Sequence, residues 1–248
     1  MLSHRDPEPF LLRNTEAESR FVLLCDHAGR AVPEALELGV SAADMDRHIA
    51  WDIGALALAE SLSEALDSPL IAQPYGRLVI DCNRDPARAD ACPEVSDGTL
   101  VPANLGLTPE AKAERVAAIH EPYHARIGAL LDDRVARGLS TALVLVHSFT
   151  PAMGGVARPW RMGVLHTGGA FALDVLRRLR ERDAGPIGDN QPYAMDEVDY
   201  TAYRHGRDRG LPFVELEVRQ DLIASPEGRA PIAALLAEVL PAALAAAQ

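Results

Sequence analysis

The chain has 248 residues, with 24 Lys and Arg against 36 Asp and Glu, a formal charge of −12 at neutral pH. Its 48% apolar and 24% charged residues exclude a disordered or fibrous chain and leave ample material for a core. The acidic balance argues against a coat for nucleic acid or for an anionic membrane, so neither partner is expected.

In chain order, Phe21–Cys25 reads as a buried strand that runs into Asp26-His27-Ala28-Gly29-Arg30. Ser41 caps a predicted helix reaching about Leu66. Pro69-Leu-Ile-Ala opens a second strand, and Arg77–Asp81 a third, with a turn at Pro74-Tyr75-Gly76 between them. Residues 85–107 form a long loop rich in Pro, Asp, Gly and Asn, of the kind often used for function. Thr108-Pro109-Glu110 starts a helix that runs towards Arg137 and stops at Gly138. Thr141–Val146 is a continuous apolar strand ending at His147, and Met162–Leu165 is another, followed by Gly168-Gly169 and a helix to about Arg182. A loop at 189–193, a helix over Thr201–Arg209, a strand over Leu211–Val218 and an Ala/Leu-rich helix complete the chain. Strands alternating with helices predict one α/β domain over 1–248, its sheet wrapped by helices on both faces. The C-terminal apolar stretch, Ala233–Ala247, is broken by Glu238 and Pro241, so no bilayer-spanning segment is expected. The N-terminus lacks the apolar stretch of a signal peptide, and Cys25, Cys82 and Cys92 include no C-x-x-C pair. Both features fit a reducing cytoplasm.

The chemistry-bearing residues gather where strands end. His27, His147 and His166 each follow an apolar strand, and Glu215 and Glu217 lie near the end of the last one. In open α/β sheets the ligand crevice lies outside the carboxyl ends of the strands. A single histidine there is usually a satisfied structural group. Several on one edge, with carboxylates, suit a catalytic zinc with an open position. His48 and Asp52 are four apart in a predicted helix and would share a face. Asp52 would cap a local network or ligate a metal, and His48 would ligate, touch substrate or orient Asp52. Asn83, Arg84 and Arg77 flank Asp81, and arginine forks bind carboxylates in bidentate fashion. The bland alternative is pairing with Asp81 or Asp85.

His120-Glu121-Pro122-Tyr123-His124 matches H-E-x-x-H, a zinc-protease signature. Pro122 disfavours the uninterrupted helical turn that chemistry requires, and no third ligand lies at a familiar spacing. A packing or capping role is the expectation for this pair. No G-x-S-x-G elbow, P-loop or dinucleotide glycine pattern is present.

Five blocks carry a resemblance: Cys25-Asp-His-Ala-Gly-Arg30, His48-Ile-Ala-Trp-Asp-Ile-Gly54, Arg77-Leu-Val-Ile-Asp-Cys-Asn-Arg84, His147-Ser-Phe-Thr-Pro151 and Leu216-Glu-Val-Arg-Gln-Asp-Leu222. In this order they resemble the N-formylglutamate amidohydrolase family, which is similar in fold to the zinc carboxypeptidases and aspartoacylase. The resemblance implies a three-layer α/β fold with a mixed, mostly parallel, zinc-peptidase-like sheet. It implies one divalent metal, zinc, and an acidic small-molecule substrate from histidine degradation. His27 and His147 match the metal histidines. The acid expected three residues after the first histidine is replaced by Arg30, and Asp52 is assigned as the third ligand, with His48 as its competitor. Asn83-Arg84 matches the pair that holds a substrate carboxylate, joined by Arg77. Glu217 matches the catalytic glutamate, with Glu215 as competitor, and Glu215 is expected to make a structural contact instead. Tyr193 and His205 are further possibilities as oxyanion or proton-shuttling groups. Two rival functions remain: an amidase or peptidase of the same fold with another substrate, and a non-catalytic protein that binds an acidic metabolite.

Overall fold

Val22–Leu24 and Leu143–Val146 are unbroken apolar runs, as expected of strands buried on both faces of a largely parallel sheet. The computed structural model describes residues 1–182 and 185–247. In chain order the strands are β1 (Leu11–Arg13), β2 (Phe21–Cys25), β3 (Leu70–Ala72), the hairpin β4 (Val95–Ser96) and β5 (Thr99–Leu100), β6 (Ala142–Phe149), the hairpin β7 (Ala152–Met153) and β8 (Val156–Ala157), β9 (Met162–Leu165), β10 (Ile187–Asp189) and β11 (Phe213–Arg219). The α-helices are α1 (Ala42–Met45), α2 (Ala55–Ala65), α3 (Pro109–Arg115), α4 (Glu121–Ala136), α5 (Ala170–Arg182) and α6 (Pro226–Ala246).

Seven strands form the main sheet in the order β1-β3-β2-β6-β11-β9-β10. The β3–β2–β6–β11 run and the β9–β10 pair are parallel, while β1 against β3 and β11 against β9 are antiparallel. Strand alternation divides the core between the two faces. Leu23, Val144, Val146, Val164 and Leu216 join one apolar cluster with residues of α2, α5 and α6. Val22, Leu24, Leu143, Leu145 and Leu165 join a second cluster with Ile119, Tyr123, Ile127 and Leu131. Helix α6 is, among the described residues, the one helix long and apolar enough to cross a membrane. Its Leu236, Leu240 and Ala243 are buried in the first cluster.

Four predicted elements differ from the structure. The helix predicted from Ser41 to about Leu66 is two helices. Ser41 does cap α1, accepting from Asp44 N at 3.1 Å, but α1 stops at Met45. The chain then leaves the helical path, because Asp52 N donates to the His27 carbonyl at 2.9 Å and Arg77 N to that of Ala50 at 2.9 Å. Helix α2 starts after Gly54, at φ 83°, where a Cβ would press on the Ile223 carbonyl. Arg77–Val79 forms a turn and Ile80 and Asp81 follow as irregular chain, rather than a strand. The helix predicted from Thr108 to Arg137 is α3 and α4 joined by a π-helical turn, Val116–His120, just before Pro122. A second π-helical turn, Ala202–Gly206, occupies most of the helix predicted over Thr201–Arg209.

Candidate active site

The cavity at the carboxyl ends of the central strands has a volume of about 480 Å³ and is lined by His27, Asp52, His147, Glu215 and Glu217, among others. Alternation explains the last three. His147 continues the Leu143, Leu145 series, and Glu217 stands directly opposite it in the parallel β6–β11 register. All three therefore leave the sheet on the α4 side, beyond where the apolar residues end. His27 lies just past β2, and Asp52 is brought between β2 and β6 by its amide bond to the His27 carbonyl.

These groups form a compact cradle. One ligand atom each from His27, Asp52 and His147 lies within 4.8 Å of the others, and all three residues are buried. Asp52 Oδ2 is 2.9 Å from His147 Nδ1 and 3.5 Å from His27 Nδ1. The opposite edge of each ring faces another carboxylate. His27 Nε2 is 2.7 Å from Asp81 Oδ1, and His147 Nε2 is 3.3 Å from Asp26 Oδ2. Burial, helped by the Arg77 charge, pushes His27 down to about 4, so its ring is neutral. Its one proton belongs on Nε2, facing Asp81, which leaves a bare Nδ1 aimed inward with no partner.

The donor set suits a divalent metal by three criteria. It offers two imidazoles and a carboxylate, backed by outer carboxylates, and leaves room for a further ligand. The His27 Nδ1 is otherwise an unsatisfied buried acceptor. The surroundings also favour a cation: burial alone would lower His147, yet Glu215, Asp26 and Glu217 outweigh it and hold that ring up at about 10.

Glu217 Oε2 and Glu215 Oε2 are buried without partners. Burial raises Glu217 to about 7, against the lowering effects of His147 and Arg77, and raises Glu215 well above the carboxylate range. Both glutamates line the cavity.

The remaining predicted residues divide into three groups. Asn83 and Arg84 line the cavity, with Asn83 fixed by Thr201 N at 3.0 Å and Arg84 Nη1 donating to the Asn83 carbonyl. Arg77 also lines it, but its Nη2 donates to Asp52 Oδ1, so part of its fork holds the cradle. His48 lines the cavity as well, in a turn rather than on a helical face shared with Asp52, with Nε2 3.5 Å from Asp97. Tyr193 lines the cavity and accepts from Arg158 at 3.0 Å. It gets there because Gly163 and Gly188 leave the sheet face bare: a Cβ at either would fall on the Gln191 backbone, which leads into Tyr193. His205 and His166 are not among the cavity-lining residues. His205 bonds His124, and His166 bonds Asp189.

Asp26 and Asp81 are the cradle residues that sequence reasoning missed. Asp26 adjoins a predicted histidine, and Asp81 sits at the end of the predicted third strand. A carboxylate beside a candidate ligand histidine was the available signal.

The sequence pattern of the N-formylglutamate amidohydrolase family matches residues 19–224. Among solved structures, a gene product of Agrobacterium tumefaciens superposes with a TM-score of 0.94 at 33% identity, covering 99% of this chain and 98% of the other. An N-formylglutamate amidohydrolase from Ralstonia eutropha JMP134 superposes with a TM-score of 0.70 at 20% identity, covering 96% and 97%. Curated protein sequences yield no significant match. With the pattern spanning most of the chain and every block of the resemblance falling within it, this protein belongs to the N-formylglutamate amidohydrolase family.

Proposed function

We propose that the protein is a zinc-dependent hydrolase of the formyl amide of N-formyl-L-glutamate, releasing formate and glutamate. The observation that carries this reading is the inward-facing, partnerless His27 Nδ1 in a His27–Asp52–His147 cradle, with Glu217 beside it.

His27, Asp52 and His147 would hold the zinc, which when bound would supply Lewis-acid polarisation and lower the pKa of water. The protein's own groups do the rest. Asp81 and Asp26 hold the two imidazoles in orientation, and the Arg77 guanidinium fixes the free oxygen of Asp52. Glu217, at about 7, is matched to accept the proton of the attacking water and return it to the leaving nitrogen near neutral pH. Arg84 and Asn83 bind a substrate carboxylate and so place the amide beside Glu217, with Arg77 completing the positive wall. Tyr193, at the cavity edge, is placed to donate to the developing oxyanion.

The test is formate release from a panel of N-formyl and N-acetyl amino acids by zinc-loaded protein, together with its metal content. Turnover fastest on N-formylglutamate, abolished in His27→Ala along with the bound zinc, is the expected result. A preference for another acyl-amino acid would retain the reaction and replace the substrate. A protein that binds glutamate tightly, holds no metal and hydrolyses nothing would be a binding protein instead.

A further inference from the structure

The H-E-x-x-H segment does not reach the cradle, yet its histidines are almost fully buried beneath it, with His120 and His124 each 1% exposed. Their bonds go to one short stretch of backbone. His124 Nε2 lies 2.8 Å from the Cys82 carbonyl, and His120 Nε2 lies 3.0 Å from the Arg84 carbonyl. These carbonyls flank Asn83 and can only accept, so both Nε2 atoms carry hydrogens. Burial holds both rings below the ordinary histidine pKa, which keeps them neutral. Nδ1 of His124 is then an acceptor, and the group facing it at 3.0 Å, His205 Nε2, is its donor. The chain of donors runs one way, from His205 to His124 to the Cys82 carbonyl. Both nitrogens of His124 are thereby used, and the pair has no free fork for a metal.

The two π-helical turns make this possible. Val116–His120 delivers His120, one helical turn ahead of His124, and the two rings lie 4.4 Å apart between centroids. Ala202–Gly206 delivers His205, whose ring is within 12° of parallel to that of His124. Thr201, at the start of the second turn, donates its amide to Asn83 Oδ1. Insertions of this kind in helices are frequent at functional sites.

We propose that His120, His124 and His205 are positioning residues that hold the Cys82–Arg84 backbone so that Asn83 and Arg84 present one fixed geometry to a substrate carboxylate. This rests on the reading of Asn83 and Arg84 as carboxylate-binding groups. The zinc-protease signature here is a clamp on recognition rather than a ligand set.

The experiment uses zinc-loaded full-length protein and the variants His120→Leu, His124→Leu, His120→Gln and His124→Gln. Glutamine keeps an N–H at similar reach, whereas leucine removes it. Two quantities are read: hydrogen exchange at the Asn83 and Arg84 amides, and the Kd for glutamate. Those amides donate to Asp81 at 2.9 and 3.2 Å, so they report the loop directly. Loss of one buried hydrogen bond raises local exchange and weakens glutamate by roughly five- to tenfold in the leucine variants. The glutamine variants return within about threefold of the parent, and zinc content is unchanged in all four. Exchange at 83 and 84 that stays at the parental level in both leucine variants overturns the proposal. So does an increase spread evenly over the chain, the mark of a purely structural role. A parent protein that fails to bind glutamate removes the substrate reading, while the exchange data still decide the clamp.

Discussion

Asp81 makes the sharpest case for how the cradle is tuned. Its Oδ1 is 2.7 Å from His27 Nε2 and also accepts the Asn83 amide at 2.9 Å. Its carboxyl lies well below the usual range because the hydrogen bond from His27 and the charges of Arg84 and Arg77 together outweigh burial. It is therefore ionised throughout the working pH range, and it selects the His27 tautomer whose Nδ1 faces inward. Replacing it with Asn keeps the shape and removes the charge; replacing it with Ala removes the acceptor as well. Losing a partner of this kind costs roughly 10–100-fold in metal affinity, or about 1.4–2.7 kcal/mol. Asp81→Asn should fall near the lower figure and Asp81→Ala near the upper, because the alanine variant also frees the Asn83 amide. Zinc Kd measured by chelator competition, with circular dichroism to confirm folding, reads the effect. Asp81→Ala protein that binds zinc as tightly as the parent would refute the assignment of His27 Nδ1 as a ligand.

Three further outcomes follow from the geometry. Glu217→Gln should keep its zinc and its affinity for glutamate while kcat falls roughly 10²–10⁴-fold; loss of zinc would make Glu217 a ligand. Arg84→Lys should lower kcat/KM for N-formylglutamate by roughly tenfold and affect the diamide of the same compound less; equal losses would make Arg84 structural. Stability should also decline as pH falls from about 6.5 towards 4. His205 is lowered to about 4, chiefly by burial, with Arg204 adding to it, so the unfolded chain takes up the proton first and the stability present above 6.5 is lost on acidification. The shift corresponds to at most about 3.4 kcal/mol for this one group. Urea midpoints at pH 7.5 and 5.0 measure it, and a pH response unaltered in His205→Gln would show that this ring is not responsible.

The sheet was legible because its signal is periodic and local. Phe21–Cys25, Met162–Leu165 and Leu211–Val218 needed only runs of apolar and β-branched residues bounded by breakers, and β2, β9 and β11 lie there. The strand predicted over Thr141–Val146 continues as β6 to Phe149, so His147 lies inside a strand rather than after it. The segment 46–54 was misread because its conformation is set by backbone bonds to His27 and Arg77, which lie far away in sequence. Gly54 in mid-helix was the local warning. Arg77–Asp81 has strand-like composition, but Val79 N bonds back to Gly76 O and closes a turn. Within the site, the blocks of the resemblance brought His27, Asp52, His147, Asn83, Arg84 and Glu217 to attention, and all six line one cavity. The roles of His120, His124 and His205 lay beyond reach, since nothing in an H-E-x-x-H spacing reveals which distant carbonyls its rings will meet.

The cavity joins two kinds of scaffold. His147, Glu215 and Glu217 stand on β6 and β11 in the middle of the sheet, whereas Ser96, Asp97, Met153, Tyr193 and Asp199 reach the same cavity from hairpins and loops. Strand-borne groups cannot shift without disturbing the register of the core, but surface connections tolerate insertion and exchange. The strand-borne groups of the cavity and the walls that hairpins and loops lend it are thus encoded in separable parts of the chain. A directed-evolution library confined to 95–100, 150–158 and 194–199 would sample new substrates while the hydrolytic centre stayed intact, and selectivity in such a lineage would diverge faster than mechanism.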